Sequence, residues 1–195
     1  MQERSGPVTV LGPAGGDMHP GTRRFTDLLF GEEGAWNYLT TFDGFGIEAI
    51  ECVSDPAAAP SPPWQVADIT VRSAPVQHGM MPSVAYRVEY AGHSIVLGGD
   101  VQAYDEGLRK LAEGCDVLVH DFALPERDVP HSQLHAKPSE VGRLAAAVGC
   151  RLLLLSHFMP EIEDELDPAV ELVREHYDGG VVLAHDLLRI DLPLR

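Results

Sequence analysis

Cysteine is scarce in this chain of 195 residues and occurs only as Cys52, Cys115 and Cys150. The odd number and the absence of Cys-x-x-Cys spacing argue against a disulfide framework and against a cysteine zinc site. We expect these side chains to be small core residues in a reducing compartment, which indicates a cytoplasmic protein.

Long apolar runs are absent as well. None approaches the roughly 20 residues that a membrane-crossing helix needs. The first residues also lack the basic start and apolar stretch of an export signal. The remaining composition, 45% apolar and 23% charged, is that of an ordinary globular chain. We therefore predict a single domain over residues 1–195 with no membrane partner.

Basic residues are few: 14 lysines and arginines stand against 30 aspartates and glutamates, a net charge of −16. Such a charge repels a polyanion at long range and leaves no broad basic face. Nucleic acid is therefore disfavoured as a partner. A metal site could still attract a phosphate group locally.

The apolar pattern predicts alternating strands and helices. Strands are expected at residues 8–11, 47–53, 66–71, 83–90, 94–97, 117–120, 151–156, 181–184 and 188–192. Helices are expected at residues 22–30, 35–42, 104–113, 139–148 and 168–176, with a proline-rich surface loop at 55–63. This order favours an α/β fold with a mixed sheet.

Three candidate metal ligands each close an apolar strand: His78 in Val-Gln-His-Gly, Asp100 in Leu-Gly-Gly-Asp, and His157 in Leu-Leu-Ser-His-Phe. Strands of one sheet end along a common edge, so the three side chains can converge there. Imidazole nitrogen and carboxylate oxygen suit zinc, manganese or iron. Taken singly, each residue could be a surface or turn residue. Together they predict a hydrolytic metal site.

Two further residues fit the same edge. Asp121 follows the strand at 117–120, and His135 precedes the helix that begins near Ser139. They could form a carboxylate–imidazole pair in which Asp121 orients His135 as a proton donor. The alternative is that Asp121 caps a turn and that His135 is a solvated loop histidine, like His131 close by.

With these residues in place, residues 66–192 resemble the C-terminal half of a metallo-β-lactamase-fold hydrolase of the tRNase Z and arylsulfatase-type phosphodiesterase branch. The segments that carry the resemblance are residues 76–88, 97–100, 116–122, 135–145, 153–158 and 182–186. Residues 10–15, Val-Leu-Gly-Pro-Ala-Gly, also resemble the strand and Gly-Pro turn that follow the first metal motif of that branch.

The resemblance implies an αββα sandwich of mixed β-sheets flanked by helices, and a site with two zinc ions, manganese or iron being the other choices. His78 would bind the first ion, Asp100 would bridge both, and His157 would bind the second. A metal-bridging hydroxide would attack a phosphodiester or related ester while His135 protonates the leaving oxygen. Asp121 stands where the family usually has Glu as the partner of that histidine. The segment from Tyr86 to Asp100 is too short for the RNA-gripping arm of tRNase Z, which favours a small-molecule ester or phosphodiester substrate.

The chain departs from the family near its start. The family takes four more ligands from a His-x-His-x-Asp-His cluster before the Gly-Pro strand, and only seven residues precede that strand here. Each ion would keep one histidine and a share of Asp100, fewer than the roughly three protein ligands usual for catalytic zinc. Asp17 and His19, in Asp-Met-His, have similar spacing but follow the Gly-Pro turn.

Three hypotheses follow. The first, which we favour, is an N-terminally truncated domain of a two-metal hydrolase. The second is a catalytically inactive binding or scaffold protein that covers its incomplete sandwich by forming a homo-oligomer. The third is a single-metal hydrolase with His78, Asp100 and His157 as its complete ligand set.

Overall fold

The structure is a computed structural model that describes residues 6–42, 45–102 and 104–192, and its first part is a small βαβ unit. The unit contains β1 (Val8–Pro13), α1 (Thr22–Phe30), a 3-10 helix (Asn37–Thr41) and β2 (Ile47–Cys52). β1 and β2 pair in parallel. A parallel pair needs a crossover connection, which α1 and the 3-10 helix supply.

The rest of the chain builds a seven-stranded sheet in which the strand order follows the chain order. The strands are β3 (Trp64–Val66), β4 (Ile69–Val76), β5 (Ser83–Tyr90), β6 (His93–Leu97), β7 (Val117–Asp121), β8 (Leu152–Ser156) and β9 (Gly180–Leu183). β3 to β6 are antiparallel neighbours. β6 to β9 are parallel neighbours. The predicted mixed sheet is confirmed.

Four α-helices of the described residues connect the parallel strands, namely α2 (Glu106–Ala112), α3 (Pro138–Val148), α4 (Pro160–Glu163) and α5 (Leu166–Arg174), with a 3-10 helix (Ser132–Leu134) before α3. Asp105 caps α2 because its side chain accepts a hydrogen bond from the Leu108 backbone nitrogen. Buried side chains of the helices and of the sheet form one apolar core, which includes Leu108, Leu144 and Leu153. Among the described residues, no helix has both the length and the hydropathy needed to cross a bilayer.

The two faces of the seven-stranded sheet differ in burial, as β6 shows. Val96 is 0% exposed and faces the helices, whereas its neighbours Ile95 and Leu97 are 36% and 44% exposed. The small βαβ unit meets the β5 part of this second face, where the Tyr86 hydroxyl donates a 3.0 Å hydrogen bond to the Leu11 carbonyl oxygen. One side of the sheet therefore forms the main core and the other stays partly open.

Three local predictions were wrong. Residues 66–71 are not one strand, because the chain turns between β3 and β4 with Ala67 at φ 51°. Residues 35–42 form a short 3-10 helix rather than a full helix. Residues 188–192 form no strand. The turn at Ala67 lacks the glycine or asparagine that usually identifies such a position.

Candidate metal centre

The sheet topology places the three predicted metal ligands at one edge. His78 follows β4, Asp100 follows β6 and His157 follows β8. β6 and β8 run parallel through β7. β4 runs the same way because both β4 and β6 are antiparallel to β5. All three strands therefore end on the same side of the sheet.

The structure brings Asp100, His135 and His157 into one group whose ligand atoms lie within 4.8 Å of one another. The His157 Nδ1 atom is 3.7 Å from Asp100 Oδ1. His78 is outside that group but adjacent to it, since its ring centroid is 5.1 Å from that of His135. The rings of His135 and His157 are stacked at 5.4 Å. Three imidazoles and one carboxylate thus meet at this edge.

Hydrogen bonds fix two of these imidazole rings. The His78 Nδ1 atom is 3.0 Å from the Leu134 carbonyl oxygen. Because a carbonyl can only accept, His78 Nδ1 carries the hydrogen of this bond, which leaves Nε2 as the ring nitrogen that can bind a metal ion. The His135 Nδ1 atom is likewise 2.7 Å from Asp121 Oδ2. Metal-binding and acid–base histidines are commonly oriented in this way.

The backbone at His157 is also unusual. Its φ is 60°, in the left-handed region that non-glycine residues seldom adopt. Such a conformation costs on the order of 1 kcal/mol and is often found at functional sites. Gly99, one residue before Asp100, has φ 68° and adopts the same region without that cost.

The donor set fits a metal ion of the zinc, manganese or iron type, because all of these accept imidazole and carboxylate ligands. In the described ranges, no second group of three such side chains meets the same distance limit. Asp17 and His19 are not part of the group. The described residues therefore suit one ion, and they do not supply the further ligands that the two-ion expectation requires.

Asp121 and His135 form the predicted pair, with both side chains buried. Burial raises the pKa of Asp121, but the imidazoles of His120 and His135 outweigh burial and hold this pKa below its usual range. The pKa of His135 is raised, chiefly by its hydrogen bond to Asp121. Asp121 therefore remains a carboxylate that keeps the hydrogen of His135 on Nδ1.

His120 is the site residue that the sequence prediction missed. It lies at the end of β7, and its Nδ1 atom is 2.9 Å from Asp121 Oδ1. The pattern that could have revealed it is the adjacent pair of ionisable residues, His120 and Asp121, at the end of an otherwise apolar strand.

A groove of about 490 Å³ adjoins His78. Gly15 and Gly16 from the loop after β1 line it, together with Met80 and Met81. Both methionines are exposed. Their flexible apolar side chains can adapt to a bound molecule. The groove has the size of an ordinary ligand site.

Residues 29–158 match the family model described as "Beta-lactamase superfamily domain". Ribonuclease Z of Mycolicibacterium paratuberculosis is 30% identical over 141 residues, which cover 67% of this chain and 50% of that protein. Ribonuclease Z of Mycobacterium tuberculosis is 28% identical over 199 residues, which cover 95% of this chain and 69% of the relative. The chain therefore spans about half the length of the first relative.

Two solved structures show the same fold. The metallo-β-lactamase fold protein YhfI from Bacillus subtilis is 19% identical with a TM-score of 0.66, and the match covers 92% of this chain and 63% of that one. Human tRNase Z, short form, is 21% identical with a TM-score of 0.65, covering 96% of this chain and 68% of that one. The predicted metallo-β-lactamase-type α/β fold is confirmed.

The prediction that nucleic acid is disfavoured as a partner was wrong, because the relatives are named ribonuclease Z and a structural neighbour is a tRNase Z. Net charge sums over the whole surface and sets the long-range field. A phosphate group, in contrast, is bound by a few local groups. The net charge of −16 therefore does not exclude RNA.

The match to the family model covers most of the seven-stranded sheet and reaches one residue beyond His157. It includes every residue that the sequence predicted for the site, and the fold of the solved neighbours agrees with it. The chain belongs to the β-lactamase superfamily.

Proposed function

We propose that this chain is a metal-dependent phosphodiesterase of the β-lactamase superfamily whose substrates include RNA. One observation carries the proposal: the buried Asp121–His135 pair, joined at 2.7 Å, lies directly against Asp100 and His157, which are metal-binding residue types. A proton-transfer group beside a candidate metal site can supply the acid catalysis and the Lewis acid that accelerate phosphodiester hydrolysis. The names of the relatives support a ribonucleic acid substrate.

The residues have separate roles in this proposal. Asp100, His157 and His78 hold the metal. When bound, the ion supplies a Lewis acid and lowers the pKa of water. His135 donates a proton from Nε2 to the leaving oxygen, since its Nδ1 hydrogen is held by Asp121. Asp121 thereby fixes the tautomer and the orientation of the ring.

The groove beside His78 is the proposed place of the substrate chain. Its lining is not strongly charged, with Asp55 as the one charged side chain among the described lining residues. Met80 and Met81 can contact a base or sugar through their apolar surface. Specific contacts to the phosphate would then come from the metal centre, of which His78 lines the groove.

Metal content and turnover test the proposal together. The purified chain is equilibrated with zinc, freed of excess metal, and measured by elemental analysis. It is then assayed with bis(p-nitrophenyl) phosphate and with a short oligoribonucleotide, using the matching oligodeoxyribonucleotide as control. We expect close to one zinc per chain and cleavage of both the chromogenic diester and the RNA.

Variants identify the ligands. His157→Ala should lose both zinc and turnover. His135→Ala should keep zinc and lose most turnover of the oligoribonucleotide if His135 is the proton donor, whereas His78→Ala should lose zinc. If His135→Ala loses zinc and His78→Ala keeps it, His135 is the third ligand in place of His78. His176→Ala, an exposed histidine in the turn after α5, should behave as wild type.

A chain that binds no zinc and cleaves neither substrate would contradict the proposal. That result would favour the alternative of an inactive binding protein, to which the exposed apolar side chains Ile95 and Leu97 would be suited.

A further inference from the structure

His120 is fully buried, with 0% of its surface exposed, and its side chain contacts Asp121. The His120 Nδ1 atom is 2.7 Å from the Asp121 backbone oxygen, to which it donates, and 2.9 Å from Asp121 Oδ1. One hydrogen on Nδ1 therefore lies close to two oxygens of the same residue. His120 takes no direct part in the proposed proton transfer from His135.

Packing alone does not account for a histidine at this position. Within the described part of the chain, His120 Nε2 has no hydrogen-bond partner. A buried polar atom without a partner costs roughly 1–3 kcal/mol. Leucine would fill a similar volume without that cost. The presence of an imidazole here is therefore better explained by the contacts of its Nδ1 atom.

The other nitrogen, Nδ1, lies beside both the backbone oxygen and the carboxylate of Asp121. Asp121 Oδ2 accepts the hydrogen bond from His135, while Asp121 Oδ1 has no partner with full hydrogen-bond geometry among the described residues. The nearby His120 Nδ1 is thus the polar group that Oδ1 meets. Without it, a buried carboxylate would have a single partner and would be free to rotate or to take up a proton.

We propose that His120 is a positioning residue that holds the Asp121 carboxylate in place, so that Oδ2 accepts the Nδ1 hydrogen of His135 and His135 Nε2 is presented to the leaving oxygen. This inference rests on the proposed phosphodiesterase function. His120 acts through Asp121 and does not itself contact the substrate.

A first experiment tests the positioning without any activity measurement. The low-field NMR signal of the His135 Nδ1 hydrogen is assigned by its loss in His135→Ala and is then followed in His120 variants. His120→Asn places an amide nitrogen where Nδ1 was and should keep the signal. His120→Leu and His120→Gln supply no donor at that point and should broaden or shift it.

A matched control comes from elsewhere in the sheet. His93 lies near Asp116, with Nδ1 3.6 Å from Asp116 Oδ2, and it is not part of the site. His93→Leu should leave the His135 signal unchanged. If His120→Leu does not fold, as judged by circular dichroism, the comparison of Asn with Gln decides the question.

A second experiment compares leaving groups. p-Nitrophenolate leaves without protonation, whereas the sugar oxygen of RNA needs a proton donor. His120→Leu should lower kcat on the oligoribonucleotide by about 10-fold or more, with KM and the kcat on bis(p-nitrophenyl) phosphate changed by less than about threefold. His120→Asn should recover most of the loss. The double variant His120→Leu/His135→Ala should cleave the oligoribonucleotide no more slowly than His135→Ala alone.

Several results would overturn the inference. One is an unchanged His135 signal in both His120→Leu and His120→Gln. Another is an equal loss of kcat on both substrates, which indicates a general structural effect. If the wild type cleaves neither substrate, the proposed function fails, but the NMR comparison still decides whether His120 positions Asp121.

Discussion

At the scale of single residues, Asp121 shows how a carboxylate stays charged inside this sheet. It is only 3% exposed, and burial by itself would favour its neutral form. Two imidazoles, those of His120 and His135, lie within 3 Å of its oxygens and reverse that preference. The result is a buried anion next to the candidate metal centre. Because its pKa is lowered in the folded state, Asp121 makes the free energy of unfolding depend on pH.

Substitution of Asp121 should change the acid sensitivity of the fold. Because its folded pKa lies below the unfolded value of about 3.9, its ionisation contributes stability above that pH, and the contribution is lost as the pH falls through the folded pKa. We expect Asp121→Asn to lower the free energy of unfolding by about 2 kcal/mol at neutral pH. The difference from wild type should shrink below about pH 4.

Urea unfolding of both proteins across this pH range measures the difference. Asp178→Asn, at an exposed position, is the control, and its free energy of unfolding should not differ from that of the wild type in this way. A gap that stays constant from neutral to acid pH would mean that Asp121 is not stabilised as an anion.

At this scale the sequence identified most of the side chains that the structure brings together at the candidate site, for a physical reason. Four of the predicted residues each follow or end an apolar run, and these strands end on the same side of the sheet, so their side chains lie along one edge. They are His78, Asp100, Asp121 and His157. His120 was missed because a histidine within a buried strand resembles a packing residue, and its role depends on which way its side chain turns. The choice between His78 and His135 as third ligand depends on distances of a few ångströms, which no spacing rule supplies.

At the scale of elements, β6 separates a buried face from a partly open one within three residues. Val96 is buried in the main core, whereas Ile95 on the other face is partly exposed. Threonine at either position keeps a β-branched shape and replaces a methyl group of valine, or the ethyl group of isoleucine, by a hydroxyl group. We expect Val96→Thr to lower the free energy of unfolding by about 1–3 kcal/mol because the hydroxyl group would be buried in the apolar core without a hydrogen-bond partner. Ile95→Thr should cost well under about 1 kcal/mol.

Thermal unfolding of the two variants checks this difference. Equal losses would mean that the second face of the sheet is also covered in solution. That outcome would point to association with another chain through Ile95 and its neighbours.

The packing of α3 on α5 gives a second prediction about elements. A Cβ atom at Gly142 would lie 2.6 Å from the Val173 backbone oxygen, so the two helices approach too closely for alanine. Alanine is favoured over glycine in a helix by about 1 kcal/mol, but overpacking costs typically about 1–3 kcal/mol. We expect Gly142→Ala to lower the Tm despite its better helix propensity.

The control for this variant is Ala146→Gly, at an exposed position of the same helix, which should lose stability by about 1 kcal/mol through propensity alone. A Tm raised by Gly142→Ala would show that α3 and α5 are farther apart than the structure places them.

Elements with repeated apolar spacing were predictable, and those that depend on a turn were not. α3 could be placed because its apolar positions repeat and Gly149 ends it with φ 65°. The β3–β4 turn could not, because Ala67 adopts its left-handed conformation through the hairpin rather than by its own preference. Residues 188–192 alternate like a strand, yet β9 remains the last strand of the described sheet.

At the scale of the whole molecule, composition predicted the fold class better than the partner. Length, apolar content and element order led to a mixed α/β sheet, which the structure confirms. The net charge predicted that nucleic acid is disfavoured as a partner, and this prediction was wrong. A net charge describes how a partner approaches, whereas binding depends on local groups, and the two effects can be separated by salt.

If the chain cleaves RNA, its rate should therefore depend on salt in an unusual direction. A charge of −16 repels an oligoribonucleotide most strongly at low ionic strength, where the Debye length is about 30 Å at 0.01 M. Screening at about 0.15 M shortens this length to about 8 Å and reduces the repulsion. We expect kcat/KM for the oligoribonucleotide to rise by about two- to tenfold between these salt concentrations. Bis(p-nitrophenyl) phosphate, with a single charge, is the control and should change little. A kcat/KM that falls with salt would instead indicate basic contacts to several phosphates, which outweigh the acidic surface.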